Sequence, residues 1–95
     1  MPYVDSEYRD RLDTPLNLLA EVIAAIADEE AIIPCGLINF SICRIVHYLF
    51  KIWGDYSYSD INDVIGALEC AKQEIYRRLA VPYENKKKKQ NGDVF

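Results

Sequence analysis

Residues 37–53 read LINFSICRIVHYLFKIW, and this apolar stretch decides the fold class of the chain. Pro34 and Gly36 interrupt the chain before it, and Gly54 follows it as a candidate C-terminal cap. Its β-branched and aromatic residues would also suit buried strands, but its 17 residues exceed the length of an ordinary strand. We therefore predict a central helix over about residues 35–52, covered on most of its sides.

Two further helices are predicted, one on each side of this stretch. Pro15 follows an N-cap candidate and predicts a helix start, with an end near Asp28; a short helical stretch over residues 5–12 precedes it. Ser59 is the N-cap candidate of the last helix, which Pro82 is expected to end. The chain is thus predicted to be all-α, a small bundle of about three helices. The apolar stripes that support these two helices are Leu16, Leu19, Val22, Ile23 and Ile26, and Ile61, Val64, Ile65, Leu68, Ala71, Ile75 and Leu79.

Length and composition predict one small domain. The chain has 95 residues, of which 51% are apolar. We expect a single helical domain over residues 1–83, followed by a mobile, lysine-rich tail over residues 84–95. Much of the apolar content lies between residues 31 and 53, more than a monomer of this size can hide. The sequence therefore predicts a homo-oligomer.

The charge pattern argues against binding to duplex nucleic acid. The net charge is −4, and residues 1–30 carry eight acids against two bases. Duplex binding relies on a basic face that neutralises many phosphates. Residues 31–54, in contrast, contain two bases and no acid, so a local site for a small anion is compatible with the sequence.

Cysteine usage and the absence of a leader pattern predict a cytoplasmic protein. Cys35, Cys43 and Cys70 are odd in number, lie in apolar helical patterns and have no metal-ligand spacing. The opening residues lack the basic start and the apolar core of a secretory signal. A membrane span is not expected either, because Pro34 breaks the apolar stretch and three nitrogen-bearing side chains interrupt it.

Those three side chains, Arg44, His47 and Lys51, form the first candidate site. They fall on one side of the predicted central helix and are suited to phosphate or carboxylate oxygens. The alternative, which is the commoner role of a polar stripe, is that they form the solvent-facing strip of the helix. His47 is a weak candidate for a general base, since no nucleophile or carboxylate is fixed near it. No catalytic residue and no metal site are predicted.

Tyr76, Arg77 and Arg78 form the second candidate site. A tyrosine ring beside two guanidinium groups is suited to stack a nucleobase and hold a phosphate. Tyrosines at such positions also serve as amphipathic packing residues with hydrated hydroxyl groups. Both interpretations remain open at the level of sequence.

The C-terminal half of the chain resembles a known family. YSDINDVIGALECAKQEIYRR (residues 58–78), PYENKKKKQNGDVF (residues 82–95) and the opening MPYV are similar to small uncharacterised proteins found largely in bacteriophages and their hosts. The resemblance implies a viral accessory protein and assigns no catalytic or binding residue.

Together these patterns favour a non-enzymatic, phage-type protein that binds or sequesters a small anion. The ligand class we expect is a nucleotide immune signal, which would give the protein an anti-defence role, held between subunits by the two candidate sites. The alternative is a module that binds a host protein through its acidic N-terminal face or its lysine tail. An enzyme that uses His47 as acid or base is the weakest hypothesis. No cofactor is expected.

Overall fold

The structure is a computed structural model that describes residues 3–95. Four α-helices and one π turn follow one another within these residues. Within the described range the remaining residues form connections and no strand, so the predicted all-α fold is confirmed. The helices are α1 (Ser6–Glu29), α2 (Cys35–Trp53), α3 (Tyr58–Ile75), the π turn (Tyr76–Ala80) and α4 (Val81–Asn91).

The described chain divides into two compact units. The first unit, Tyr3–Ser57, contains α1 and α2, and the second, Tyr58–Phe95, contains α3, the π turn and α4. The boundary falls in the connection after Gly54, whose φ of +81° ends α2 as predicted. Each unit is therefore a run of helices joined by short local connections.

The prediction that the first long helix starts at Pro15 is wrong. The helix begins at Ser6, just after Asp5, whose carbonyl accepts hydrogen bonds from the N–H groups of Tyr8 (3.0 Å) and Arg9 (3.1 Å). Pro15 lies inside α1, where its missing N–H removes one hydrogen bond to the preceding turn. Helix formation on both sides of the proline offsets this local loss, so the predicted short stretch and the predicted long helix merge into one element.

The C-terminus of α1 is closed by a Schellman motif. The N–H of Ile32 donates to the carbonyl of Ala27 (3.0 Å), and the N–H of Ala31 donates to the carbonyl of Asp28 (3.3 Å). Ala31 stands at the left-handed position of the motif with a φ of +52°. The acidic residues at this end, which the helix dipole disfavours, therefore do not prevent a defined termination.

The prediction that Pro82 ends the last helix is also wrong. The chain stays helical through the π turn into α4, and the N–H of Val81 donates to the carbonyl of Tyr76, five residues back. Pro82 lies in the first turn of α4, where a missing N–H is tolerated. We attribute the π turn to the proline ring, which clashes with the carbonyl four residues earlier in a regular helix. Lys86–Lys89, predicted in a mobile tail, lie on α4.

Only one side chain in the described part of the chain is buried. Phe50 of α2 is 8% exposed, and its ring stacks on Tyr56 with centroids 4.6 Å apart. Trp53 meets Phe50 edge-on at 5.4 Å. This aromatic cluster anchors the connection after α2 to the last turns of that helix.

Candidate functional site

The first predicted site lies on α2, within the first unit. Arg44, His47 and Lys51 are exposed, and their spacing places them on one side of the helix. The guanidinium of Arg44 lies 5.1 Å from the ring centroid of Phe40, a cation–π contact. In the described chain none of the three forms an ion pair with an acidic residue. The stripe is thus an exposed strip of nitrogen-bearing side chains, of which Arg44 and Lys51 carry the charge.

The second predicted site lies in the second unit, where the π turn determines its geometry. The hydroxyl of Tyr76 donates a hydrogen bond of 2.6 Å to Oε1 of Glu84, eight residues later. Two regular helical turns span about seven residues, and the wider π turn accounts for the additional one. The bond raises the pKa of Tyr76 above its ordinary value of 10.0, first because Glu84 accepts the phenolic proton and second because it is charged.

Arg77 and Arg78 are both engaged by one carboxylate. Nε of Arg78 donates to Oε1 of Glu74 at 2.9 Å, and Arg77 pairs with the other oxygen of the same group. Glu74 is only 20% exposed on its side chain, so the two guanidinium groups share a partly shielded acid. The structure therefore turns these arginines towards an internal partner, a feature that the i, i+3 and i, i+4 spacing of the sequence already allowed.

The lysine run of α4 has partners of its own. Nζ of Lys87 lies 5.6 Å from the ring centroid of Tyr83, and Lys88 forms an ion pair of 3.2 Å with Asp93, beyond the end of the helix. The backbone N–H of Phe95 and this lysine hold the pKa of the Asp93 carboxyl below its usual value. Gly92, with a φ of +92°, allows the chain to turn back for this contact. Lys88 thus helps to close the helix end, while Lys87 lies against a tyrosine ring one turn earlier.

The second predicted site lies beside an open groove. A shallow, largely apolar groove runs along the second unit past Tyr76 and Tyr83. Among residues 3–95 no group of three or more His, Cys, Asp and Glu side chains is placed to hold a metal ion. Within this same range α2 is long and apolar enough to cross a membrane by length and composition alone. The side chains that line the groove are Lys72, Ile75, Tyr76, Leu79, Ala80 and Tyr83.

Comparison with known proteins places the chain in a family. The model of the family described as "Domain of unknown function (DUF6899)" matches residues 1–94. The chain belongs to this family. Searches of the curated proteins and of the solved structures find no match. The resemblance to a family of small uncharacterised proteins is therefore supported, while the distribution among phages stays a prediction.

This DUF6899 chain also presents an apolar row on α2, within the stretch whose apolar content predicts a homo-oligomer. Each of its five members is between 37% and 65% exposed, so none of them is buried. Their steps of four, three, four and three residues place them along one face of the helix, on the side away from the basic stripe. We call this row the α2 seam, and the step pattern in the sequence was the signal that identifies it. The α2 seam consists of Ile38, Ile42, Ile45, Leu49 and Ile52.

Proposed function

We propose that the protein is a non-enzymatic helical interaction module that binds another polypeptide through the apolar faces of its helices. The observation that carries the proposal is burial. Phe50 is the single buried side chain in the described range, whereas large apolar side chains are exposed along α1, α2 and α3. Extended apolar surface of this kind marks sites of association in soluble proteins.

The energetics of folding support the same conclusion. Ordering the backbone costs roughly 1–2 kcal/mol per residue, and burying a large apolar side chain returns roughly 1.5–3 kcal/mol. Phe50 is the one buried side chain among the 55 residues of the unit Tyr3–Ser57, so the exposed apolar side chains of this unit leave part of their contribution to folding unrealised. Burial of the exposed faces against a partner supplies the missing contribution, so binding and stable folding are coupled.

The oligomeric state and the unfolding of the purified chain, without any other protein, test the proposal. We expect either self-association or, in the absence of a partner, binding of a hydrophobic dye together with broad, poorly cooperative unfolding by circular dichroism. A monomer that binds no dye and unfolds cooperatively would show that the apolar faces need no partner. That result would overturn the proposal.

A second candidate function is the binding of a small anion at the basic stripe of α2. It is favoured by the observation that Arg44, His47 and Lys51 share one side and form no ion pair with an acid among residues 3–95. Arg77 and Arg78 support it less, because Glu74 already accepts from both. Phosphate-bearing ligands, including nucleotides, fit the chemistry of guanidinium, imidazole and ammonium groups.

Thermal shift against a panel of nucleotides and inorganic phosphate tests the second candidate. Arg44→Ala is expected to weaken binding about ten- to a hundredfold, since a charge-assisted hydrogen bond contributes about 1.5–3 kcal/mol. The melting temperature without ligand should change little, because Arg44 is exposed. If the affinity for the ligand is unchanged in both Arg44→Ala and the double variant with Lys51→Ala, the stripe is a solvated face of the helix and does not bind the anion.

Three finer predictions, of which the first rests on the sequence resemblance and the other two on the cysteines, the opening residues and the candidate sites, complete the proposal. A phage-type accessory role, action in the cytoplasm of a host cell, and sequestration of a nucleotide immune signal remain predictions. Binding of a host protein is the form of the interaction function that would connect the module to such a role. Loss of an anti-defence phenotype on deletion of the gene from its replicon is the corresponding test.

A further inference from the structure

We infer that the α2 seam packs against the α2 seam of a second copy of this chain. The inference rests on the proposed interaction function and names its partner. The proposed contact involves one face of one helix, and a second copy of the chain occupies that face.

The spacing of the seam is that of helices that pack along one another. Steps of four, three, four and three residues from Ile38 to Ile52 give a repeat of 3.5, the repeat of a helix seam that supercoils around a like partner. The five positions are occupied by isoleucine or leucine only. Each remains at least 37% exposed in the described chain, so the seam is available to a partner.

The charges of α2 favour a second copy as that partner. Residues that flank a seam decide which helices pair, because like charges there repel. On α2 every flanking residue is uncharged, so two copies meet without repulsion. The basic residues Arg44, His47 and Lys51 fall on the outer positions of the same repeat, away from the contact. The flanking residues are Asn39, Ser41, Val46, Tyr48 and Trp53.

Two aromatic side chains extend the apolar area at the edges of the seam. Tyr48 is 59% exposed and Trp53 is 55% exposed, and both flank the seam. Each partner in a standard interface contributes about 800 Å², so a contact of ordinary size extends from the seam onto these rings.

A lipid bilayer is the competing occupant, since α2 has sufficient length and a mean hydropathy of 1.3 over its most apolar window. Arg44 disfavours it, because this residue stands at the middle of Cys35–Trp53, where a charged side chain is most expensive in hydrocarbon. A helical seam in water leaves Arg44 hydrated on the outer face. We therefore commit to the second copy.

Disulfide trapping tests the contact without disturbing the fold. Cys35, Cys43 and Cys70 are exposed and unbonded, so we expect a variant with serine at all three positions to keep the helicity of the wild type. In that background Ile45→Cys places a thiol at the centre of the seam, where two overlapping seams meet in either orientation. Mild oxidation should link most chains of this variant into dimers.

Phe40→Cys in the same background is the matched control, because Phe40 is 60% exposed on the other side of α2. We expect little linked product from it. Equal linking of the two variants at the same protein concentration would overturn the inference, since random collision would then explain both.

Light scattering on Ile45→Glu and Phe40→Glu separates this inference from the proposed function. Wild type and Phe40→Glu should show at least twice the mass of one chain, and Ile45→Glu should approach a single chain. An Ile45→Glu assembly of unchanged mass overturns the seam and leaves association through another face. A wild-type monomer that binds dye, or that inserts into phosphatidylcholine vesicles, also overturns the seam alone. A wild-type monomer that binds no dye and unfolds cooperatively overturns both proposals.

Discussion

Ala31 shows how a single backbone angle defines the end of a helix. Its φ of +52° lies in the left-handed region, which costs an L-residue with a Cβ roughly 1–2 kcal/mol. The two hydrogen bonds of the Schellman motif, from Ile32 and Ala31 to the last turn of α1, stabilise this conformation. The position is one that glycine usually occupies.

Ala31→Gly should therefore stabilise the protein. Removing the Cβ relieves the strain at this angle, and we expect a net gain of about 0.5–1 kcal/mol after the added freedom of the unfolded chain is subtracted. Urea unfolding at a fixed protein concentration measures it. Ala25→Gly, inside α1, is the matched control and should destabilise by about 1 kcal/mol. A loss of stability in both variants would contradict the assigned backbone angle.

The hydrogen bond between Tyr76 and Glu84 makes a distinct prediction about pH. A raised pKa of Tyr76 means that its contribution to stability is complete below about pH 10, the value in the unfolded chain, and is lost as the pH rises through the higher folded-state pKa. Glu84→Ala should lower the pKa of Tyr76 towards that ordinary value, because it removes both the acceptor and the charge.

Carbon-13 NMR of the tyrosine Cζ atoms, with the Tyr76 signal assigned through Tyr76→Phe, measures this shift. Asn85→Ala is the control, since it changes the adjacent residue and leaves the acceptor in place. A Tyr76 titration that does not move in Glu84→Ala would show that the π turn does not bring the two side chains together in solution.

At the scale of elements, Gly54, Pro15 and Pro82 show what a sequence can predict. Gly54 was correctly assigned as the end of α2, because a positive φ is a local property of that one residue. The breaks expected at Pro15 and Pro82 did not occur, because a proline removes one hydrogen bond and the chain stays helical on both sides of it, with a π turn before Pro82. Local preferences are visible in the sequence, whereas the balance between neighbouring elements is not.

The candidate sites show the same difference between local features and features that depend on neighbouring elements. Spacing alone placed Arg44, His47 and Lys51 on one side of a helix, which the structure bears out. The bond from Tyr76 to Glu84 required the π turn, and no residue pattern announces an added residue per turn. The ligand expectations attached to these residues stay predictions.

Deletion of residues 84–95 should leave the helices before it in place. The deletion removes the part of α4 after Tyr83, all of it exposed, together with the acceptor of Tyr76. We expect the helical signal to fall only by the share of the deleted helical residues, as measured by far-ultraviolet circular dichroism. Glu84→Ala separates the lost hydrogen bond from the lost helix. Insolubility, or a loss of helicity beyond that share, would mean that α4 packs against a partner.

At the scale of the whole molecule, the proposed self-association predicts that stability depends on protein concentration, since Phe50 is the one buried side chain in the described range. Association that is coupled to folding shifts the equilibrium by mass action, so dilution should favour unfolding. A tenfold dilution changes an association free energy by about 1.4 kcal/mol, which corresponds to a shift of a few degrees in melting temperature for a small protein.

Melting curves recorded at protein concentrations from about 1 to about 100 µM measure this dependence. Phe40→Glu should show the wild-type dependence, whereas Ile45→Glu should show a lower melting temperature with little response to dilution. A wild-type melting temperature that stays constant over this range would exclude folding coupled to self-association.

The π turn also bears on how this chain can change in length. A hydrogen-bonded π turn contains one residue more than the α-helical turn that it replaces, so Tyr76–Ala80 behaves as a one-residue insertion absorbed within a helix. Deleting one residue from this segment, together with Pro82→Ala, would leave Tyr76 and Glu84 seven positions apart, the span of two regular turns. At this point the chain can therefore lose one residue while the side chains of Tyr76 and Glu84 still face each other.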